Sequence, residues 1–356
     1  MQVRVGILGL GWGQLVLEAF RRVRAAQVVA ICDADMARTQ DVASRNKIAH
    51  VYSDYHDLLA NDDVDLVVIA TSPETHARFA REAIDANKHV FVEQPLTLKM
   101  DQAHSLLAQA ESKKIVHAAD FEMRYLPALA YCKELIEEEY LGTLLRVDAT
   151  MVVEQPWGVR GGWASDDARG GGVLGELGAH FIDILRWWFG DVDSVFASRR
   201  THFSTFRIPK TQPTKEEKFE TRTANADDAF WGAMQFARGG EALVNFVTGA
   251  RHDLGWTISA YGSTGTLVVN SGQLVGMRDG DREMASLPIP KRLELGDNPR
   301  DPLMWSTAKL AERVCAKIKG ESDVPPYPDF HDSVAVAHVV DAIRCASETR
   351  GWVKIG

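Results

Sequence analysis

A chain of 356 residues, 46% hydrophobic and 25% charged, has the balance of a globular protein, and its length predicts two domains rather than wholesale disorder. Its 40 basic and 49 acidic residues give a net charge of −9, which excludes a general binder of nucleic acid or anionic membranes, because both need a basic footprint. No apolar run approaches the ~20 residues that span a bilayer, so no membrane helix is expected.

In chain order, short apolar runs alternate with helical stretches over the first 120 or so residues. Candidate strands are Val3–Gly9, Val28–Asp33, Leu66–Ala70, His89–Val92 and Ile115–Ala119. Between them Gln14–Arg24, Met36–Arg45, Pro73–Ala86 and Met100–Ser112 carry apolar residues at helical spacing. Runs such as Val67-Val68-Ile69-Ala70 are apolar on both faces, as a parallel strand between two helix layers must be. The alternation predicts an α/β, doubly wound parallel sheet over residues 1–122. The N-terminus is apolar, but Gly9, Gly11 and Gly13 interrupt it, so it reads as a buried strand and not a signal peptide.

The texture then changes. A helix, Pro127–Glu139, is followed by Gly170-Gly171-Gly172 opening a second helix through Phe189. Strand-like runs come next without helices between them: Leu144–Val153, Val195–Arg200, Ala229–Ala237, Ala242–Thr248, Trp256–Tyr261 and Thr266–Val269. Turn signals at Arg238-Gly239-Gly240 and Ser263-Thr264-Gly265 predict an antiparallel sheet with the two helices packed on one face. Residues 123–356 are therefore expected to form an α+β domain with a large, mostly antiparallel open sheet. Pro209–Asn225 and Leu287–Pro302 read as solvated loops, and Phe330–Thr349 as a closing helix. Cys32, Cys132, Cys315 and Cys345 lie far apart with no C-x-x-C pair, which predicts free thiols and a cytoplasmic setting.

The first strand ends in Gly9-Leu10-Gly11-Trp12-Gly13-Gln14. Gly9 permits a tight turn, and Gly11 lets the backbone approach a pyrophosphate at the following helix N-terminus. Asp33 ends the second strand twenty residues after Gly13, placed to bind a ribose 2′-hydroxyl and to repel a 2′-phosphate, so NAD is expected over NADP. Arg38 stands close enough to soften that preference. The third glycine of the G-x-G-x-x-G pattern should fall at Gln14, and Gly13 comes one place early. A glycine-rich turn that binds no nucleotide is the competing reading.

Four segments together resemble the Gfo/Idh/MocA oxidoreductases. They are the glycine loop, Ile69-Ala70-Thr71-Ser72-Pro73-Glu74-Thr75-His76, Lys88-His89-Val90-Phe91-Val92-Glu93-Gln94-Pro95, and the run from Gly170 through Gly175-Glu176-Leu177-Gly178-Ala179-His180 to Asp183. The resemblance implies a Rossmann domain paired with a domain on a large open sheet. It also implies hydride transfer between a nicotinamide cofactor and a carbinol of a sugar, cyclitol or related polyol. By the same resemblance, Thr71, Ser72, Pro73 and His76, with Glu93, Gln94 and Pro95, line the nicotinamide side of the cleft, and Pro95 is expected to be cis.

The family's Glu-Lys-Pro supplies a lysine beside the reacting hydroxyl, whereas this chain has Glu93-Gln94-Pro95. Oxidising an alcohol requires a group that takes its proton, and an amide hydrogen-bonds but does not titrate. The family's Asp and His four residues apart correspond to Glu176 and His180, which i,i+4 spacing puts on one helix face. An imidazole, with an ordinary pKa of ~6.5, makes His180 the best available base, with Glu176 orienting it. A buried, hydrogen-bonded histidine is the bland alternative. A metal site from Glu176, His180 and Asp183 lacks a recognised ligand motif and is not expected.

Arg124 borders the expected cleft and either binds substrate or pairs with Glu122 or another acid. Trp157 and Trp163 flank the glycine-rich segment, where an aromatic face suits a sugar ring, although core packing is the commoner fate. Trp187 and Trp188 are expected in the core or at a subunit interface. The reading is an NAD-dependent oxidoreductase acting on a secondary alcohol of a sugar, cyclitol or glycoside. Its rivals are a nucleotide-binding sensor that has lost turnover and an enzyme that oxidises transiently to eliminate or hydrolyse a glycoside. An exposed apolar sheet face needs cover, so a homodimer or homotetramer is expected.

Overall fold

Strands that are apolar on both faces lead the chain into a parallel sheet, as their patterning predicts. The structure is a computed structural model describing residues 2–154, 162–209, 219–295 and 301–356. Its first strands and helices are β1 (Val3–Leu8), α1 (Gly13–Phe20), β2 (Ala26–Cys32), α2 (Met36–Asn46), β3 (His50–Tyr52), α3 (Tyr55–Leu59), β4 (Leu66–Ile69), α4 (Pro73–Asp85), β5 (His89–Val92), α5 (Met100–Ser112) and β6 (His117–Ala119). The strands pair in the order β3-β2-β1-β4-β5-β6, all parallel. The order reverses between β1 and β4, which in such sheets opens the ligand crevice beyond the strands' carboxyl ends.

The chain continues through a 3-10 turn (Glu122–Tyr125), α6 (Pro127–Glu137), β7 (Leu144–Val153), a π-helical turn (Leu174–Gly178), α7 (Ala179–Phe189) and β8 (Val192–Arg200). A hairpin of β9 (Thr205–Pro209) and β10 (Phe219–Thr223) precedes β11 (Ala229–Phe236), β12 (Glu241–Thr248), β13 (Gly255–Gly262), β14 (Gly265–Asn270), β15 (Gln273–Arg278) and β16 (Ala285–Ser286). The last elements are α8 (Pro302–Ile318), α9 (Phe330–Thr349) and β17 (Val353–Lys354). Among the described residues the second sheet has nine strands, ordered β16-β15-β14-β13-β7-β12-β11-β8-β17. It is antiparallel apart from the β7–β12 pair.

Two compact units result: residues 1–125 with 295–334, and residues 126–294 with 335–356. The first unit therefore includes a segment far from residues 1–122 in the chain. The reason is packing: Met304, Ala308, Leu310, Ala311 and Val314 of α8 share a core with Val16, Leu17 and Phe20 of α1. A second core, on Val67, Ile69 and Val90, takes Ala80, Ile84 and Leu106, with Phe330 from the start of α9.

In the second unit Phe181 of α7 meets Phe246 at 4.9 Å and Trp256 at 5.7 Å, and Phe230 stacks on Phe246 at 4.7 Å. Each such ring contributes about 1.5–3 kcal/mol through burial. The expected loop Pro209–Asn225 holds β10, whose pairing with β9 puts Arg207 5.1 Å from the Phe219 ring. Cys32, Cys132 and Cys315 are buried free thiols, and Cys345 is exposed. No described helix is long and apolar enough to cross a membrane.

Candidate active site

The loop after β1 explains its irregular glycines. Gly9 has φ +94° and packs so closely that an added Cβ would lie 2.6 Å from the Ala70 carbonyl oxygen. Gly11 has nothing within 4 Å of such a Cβ, so its backbone is open to a bound group. At Gly13 a Cβ would meet Ala70 Cβ at 3.3 Å and Ile7 Cγ2 at 3.4 Å. Gly13 thus provides the close helix–strand approach expected of a glycine at 14. Gln14 instead donates from Nε2 to the Leu10 carbonyl at 2.9 Å, bracing the turn, and Trp12 stands 45% exposed beside it.

Asp33, just past β2, holds this loop. Its Oδ2 accepts from the Leu10 N–H at 2.7 Å, and its Oδ1 accepts from the Asp35 N–H at 2.9 Å and from Arg38 Nη2 at 2.7 Å. Burial works to raise its pKa, but those donors outweigh it and hold the carboxyl below the usual range. The residues fit a dinucleotide: an open backbone at Gly11, a helix N-terminus behind it, and an ionised carboxylate at the end of the second strand.

Thr71, Ser72 and Pro73 open α4, with the Thr75 N–H donating to the Ser72 carbonyl at 2.9 Å. His76 is 1% exposed, with Nδ1 2.8 Å from the Pro95 carbonyl and Nε2 3.0 Å from the Thr71 carbonyl. Burial lowers its pKa, against the two carbonyls, which favour the charged ring. The ring lies between the Thr71 loop and the Gln94–Pro95 loop. The Gln94–Pro95 bond is cis, and Gln94 Nε2 donates to Ser333 Oγ at 3.0 Å. Arg124 Nη2 lies 2.7 Å from Asp332 Oδ1, so the acid that pairs with it is on α9.

Burial, and then Asp120 beside it, push the Glu93 carboxyl well above the usual carboxylate range. Such a group stays protonated in the folded chain after its unfolded counterpart has ionised, so stability falls as pH rises from the ordinary carboxylate range through the folded value. Glu93→Gln, which mimics the protonated form, is expected to flatten that fall in thermal melts taken from the ordinary carboxylate range upward. Asp227, pushed up to about 6 by burial, tilts both curves alike, so the difference between natural and variant protein is the readout. Parallel curves would contradict the assignment.

In the second unit, the glycine run launches the turn that carries Glu176. Gly170 and Gly172 have φ +87° and +102°, and a Cβ on Gly171 would lie 2.4 Å from the Ala164 carbonyl oxygen. The Val173 N–H donates to the Asp227 carbonyl, and the Leu174 N–H to Asp227 Oδ2, each at 2.9 Å. Arg199 forks onto Asp167 at 2.6 and 3.1 Å and reaches Asp227 at 3.5 Å. The Leu174–Gly178 turn is π-helical, not α-helical as i,i+4 spacing assumed, and π turns concentrate at functional sites. Glu176 and His180 straddle its end; Glu176 Oε1 and His180 Nδ1 are closed to solvent. Trp163 is half-buried on a 3-10 turn (Gly162–Ser165), Asp183 and Trp188 are buried, and Trp157 lies outside the described residues.

The profile of the oxidoreductase family with an NAD-binding Rossmann fold matches residues 3–121, and the Gfo/Idh/MocA C-terminal domain matches residues 129–268. The chain belongs to the Gfo/Idh/MocA family. An uncharacterized oxidoreductase, sll0816, of Synechocystis is 28% identical, with 99% of this chain and 95% of that protein covered. A levoglucosan dehydrogenase solved in complex with NADH has the same fold, at TM-score 0.86, 23% identity and full coverage of both chains. The super-repressor mutant of Gal80p from Saccharomyces cerevisiae also superposes, at TM-score 0.84 and 14% identity, over 100% of this chain and 98% of that one.

As a Gfo/Idh/MocA protein, the chain carries an NAD-binding Rossmann domain at residues 3–121. Three partners of these candidate residues escape a reading by motif. Asp227 sits in Ala226-Asp227-Asp228 between strands, and Asp332 and Ser333 lie over two hundred residues from Arg124 and Gln94. A helix start at Phe330 preceded by Pro and Asp was the only signal, and it marks a boundary, not a partner.

Proposed function

We propose that this protein is an NAD-dependent dehydrogenase acting on a secondary alcohol of a sugar, cyclitol or glycoside, with His180 as base and Glu176 orienting it. The observation that carries this reading is Glu176 on a glycine-launched π turn with His180 four residues on in α7, in a chain of an NAD-binding oxidoreductase family. Gly9–Gln14 and Asp33 would hold NAD, which would supply the hydride acceptor when bound. His180 takes the hydroxyl proton at Nε2, Nδ1 being shielded. Gln94 can hydrogen-bond a hydroxyl but cannot exchange a proton with it. Arg124 adds hydrogen bonds, and Trp163 an apolar face for the sugar ring. The levoglucosan dehydrogenase fold supports a sugar as substrate.

Weighing the nucleotide released from denatured protein, then screening sugars and polyols for NAD reduction, tests the reading. A nucleotide-free protein inert on the whole panel would refute it. A second reading, a sensor without turnover, draws on Gln94, and the Gal80p fold shows the architecture in a repressor.

Asp33 should make NAD bind at least ~10-fold tighter than NADP, about 1.4 kcal/mol, in titrations of tryptophan fluorescence. Equal affinities would shift the weight to Arg38. The outer face of the nine-stranded sheet exposes Trp231, Leu243 and Trp352 at 52, 42 and 53%, with Phe196 between the two indoles. So apolar a face needs cover, and we expect it to pack on a second copy. Light scattering at micromolar concentration should give a dimer or tetramer, and a mass of 39.4 kDa would refute it.

A further inference from the structure

The first turn of α9 grips two candidate site residues at once. β5 and β6 end side by side, and Gln94 follows one while Arg124 follows the other in the 3-10 turn. In the parallel sheet this is the edge where ligands bind. The turn is stitched to the same edge, since the Ala119 N–H donates to the Pro328 carbonyl at 3.1 Å and Phe330 is fully buried in the core. From it Ser333, 3% exposed, takes the Gln94 amide at 3.0 Å. Asp332 Oδ1 takes Arg124 at 2.7 Å, and its Oδ2 accepts from the Asp329 N–H at 3.2 Å.

Neither position offers an unopposed positive charge. Where the resembled family has an ammonium, residue 94 is a neutral amide anchored by a neutral hydroxyl. The guanidinium at 124 is balanced by a carboxylate that is itself clamped, with side-chain exposures of only 10% and 26% for the pair. A substrate carboxylate approaching Arg124 would have to compete with Asp332 and suffer its repulsion, whereas a neutral hydroxyl meets no such repulsion.

Resting on the proposed function, we infer that Asp332 and Ser333 are specificity-determining residues that select neutral polyhydroxy substrates against carboxylated ones such as uronates. Asp332 acts by cancelling Arg124, and Ser333 by fixing the Gln94 amide.

The test is calorimetric titration of the NADH-loaded protein with D-glucose and with D-glucuronate, which carries a carboxylate in place of the hydroxymethyl group. The natural protein should bind glucose at least ~10-fold tighter. Asp332→Asn should narrow that ratio ~10-fold or more by gaining affinity for glucuronate, with glucose affinity changed by less than about 3-fold. Asp332→Glu, which keeps the charge, should retain the natural preference. Equal or tighter glucuronate binding by the natural protein overturns the inference, even if the variants fail to fold. Equal weakening of both sugars by Asp332→Asn overturns it too, because that is the mark of a merely structural residue. So does binding of neither sugar by any of these proteins. A protein that reduces NAD with glucuronate keeps the proposed function and sinks this inference. A protein that binds glucose selectively but never reduces NAD does the reverse.

Discussion

His180→Ala is expected to lower kcat by ~10²–10⁴-fold, the ordinary worth of a general base, while NAD affinity stays unchanged. The separation of effects follows from where the residues lie. The dinucleotide cradle of Gly9, Gly11 and Asp33 belongs to the first unit, and His180 to α7 of the second. With Gln94 unable to titrate, His180 is the group asked to accept the hydroxyl proton. Glu176→Gln should reduce kcat less, because it removes the charge that steadies an imidazolium without removing the base. Steady-state kinetics on any accepted alcohol, with NAD titrated separately, checks both. An unchanged kcat in His180→Ala would remove the histidine from the mechanism.

Asp227→Ala should be the most damaging change away from the reacting groups. It removes the acceptor of the Leu174 N–H in a buried position and takes a carboxylate from beside Arg199. An orphaned buried donor costs about 1–3 kcal/mol, so melting should fall by several degrees and kcat with it as the π turn loses its hold. Asp227→Asn keeps an acceptor oxygen at nearly the same place and should recover most of both. Loss of stability with an unaltered kcat would mean that the turn carrying Glu176 does not depend on this contact.

Much of this fold is legible in the residues because one physical constraint dominates each stretch. Val67–Ala70 must be buried on both faces, and that alone indicates a parallel strand between helix layers. The alternation of Phe230 and Phe246 with exposed Trp231 and Leu243 likewise specifies a sheet with one buried and one open face. What escapes depends on partners distant in the chain. The helix α8 is amphipathic, yet nothing local says that its apolar face closes on α1. The early Gly13 departs from the motif, and only Ala70 and Ile7 packed against it give the reason. The two carbonyls that His76 meets inside the protein are likewise out of reach of a motif, since a motif position does not say which way a side chain points. The π turn escapes because its extra residue per turn leaves i,i+4 neighbours on one face all the same.

The central claim is that this chain transfers hydride although Gln94 stands where the family's lysine is expected. The most direct measurement is the absorbance of NADH formed when the natural protein and Gln94→Lys are each mixed with NAD and a panel of sugars and polyols. The account predicts that the natural protein reduces NAD with at least one of them, and that the lysine adds little, because His180 already serves as base. If only Gln94→Lys forms NADH, the natural chain is not a dehydrogenase and the account fails.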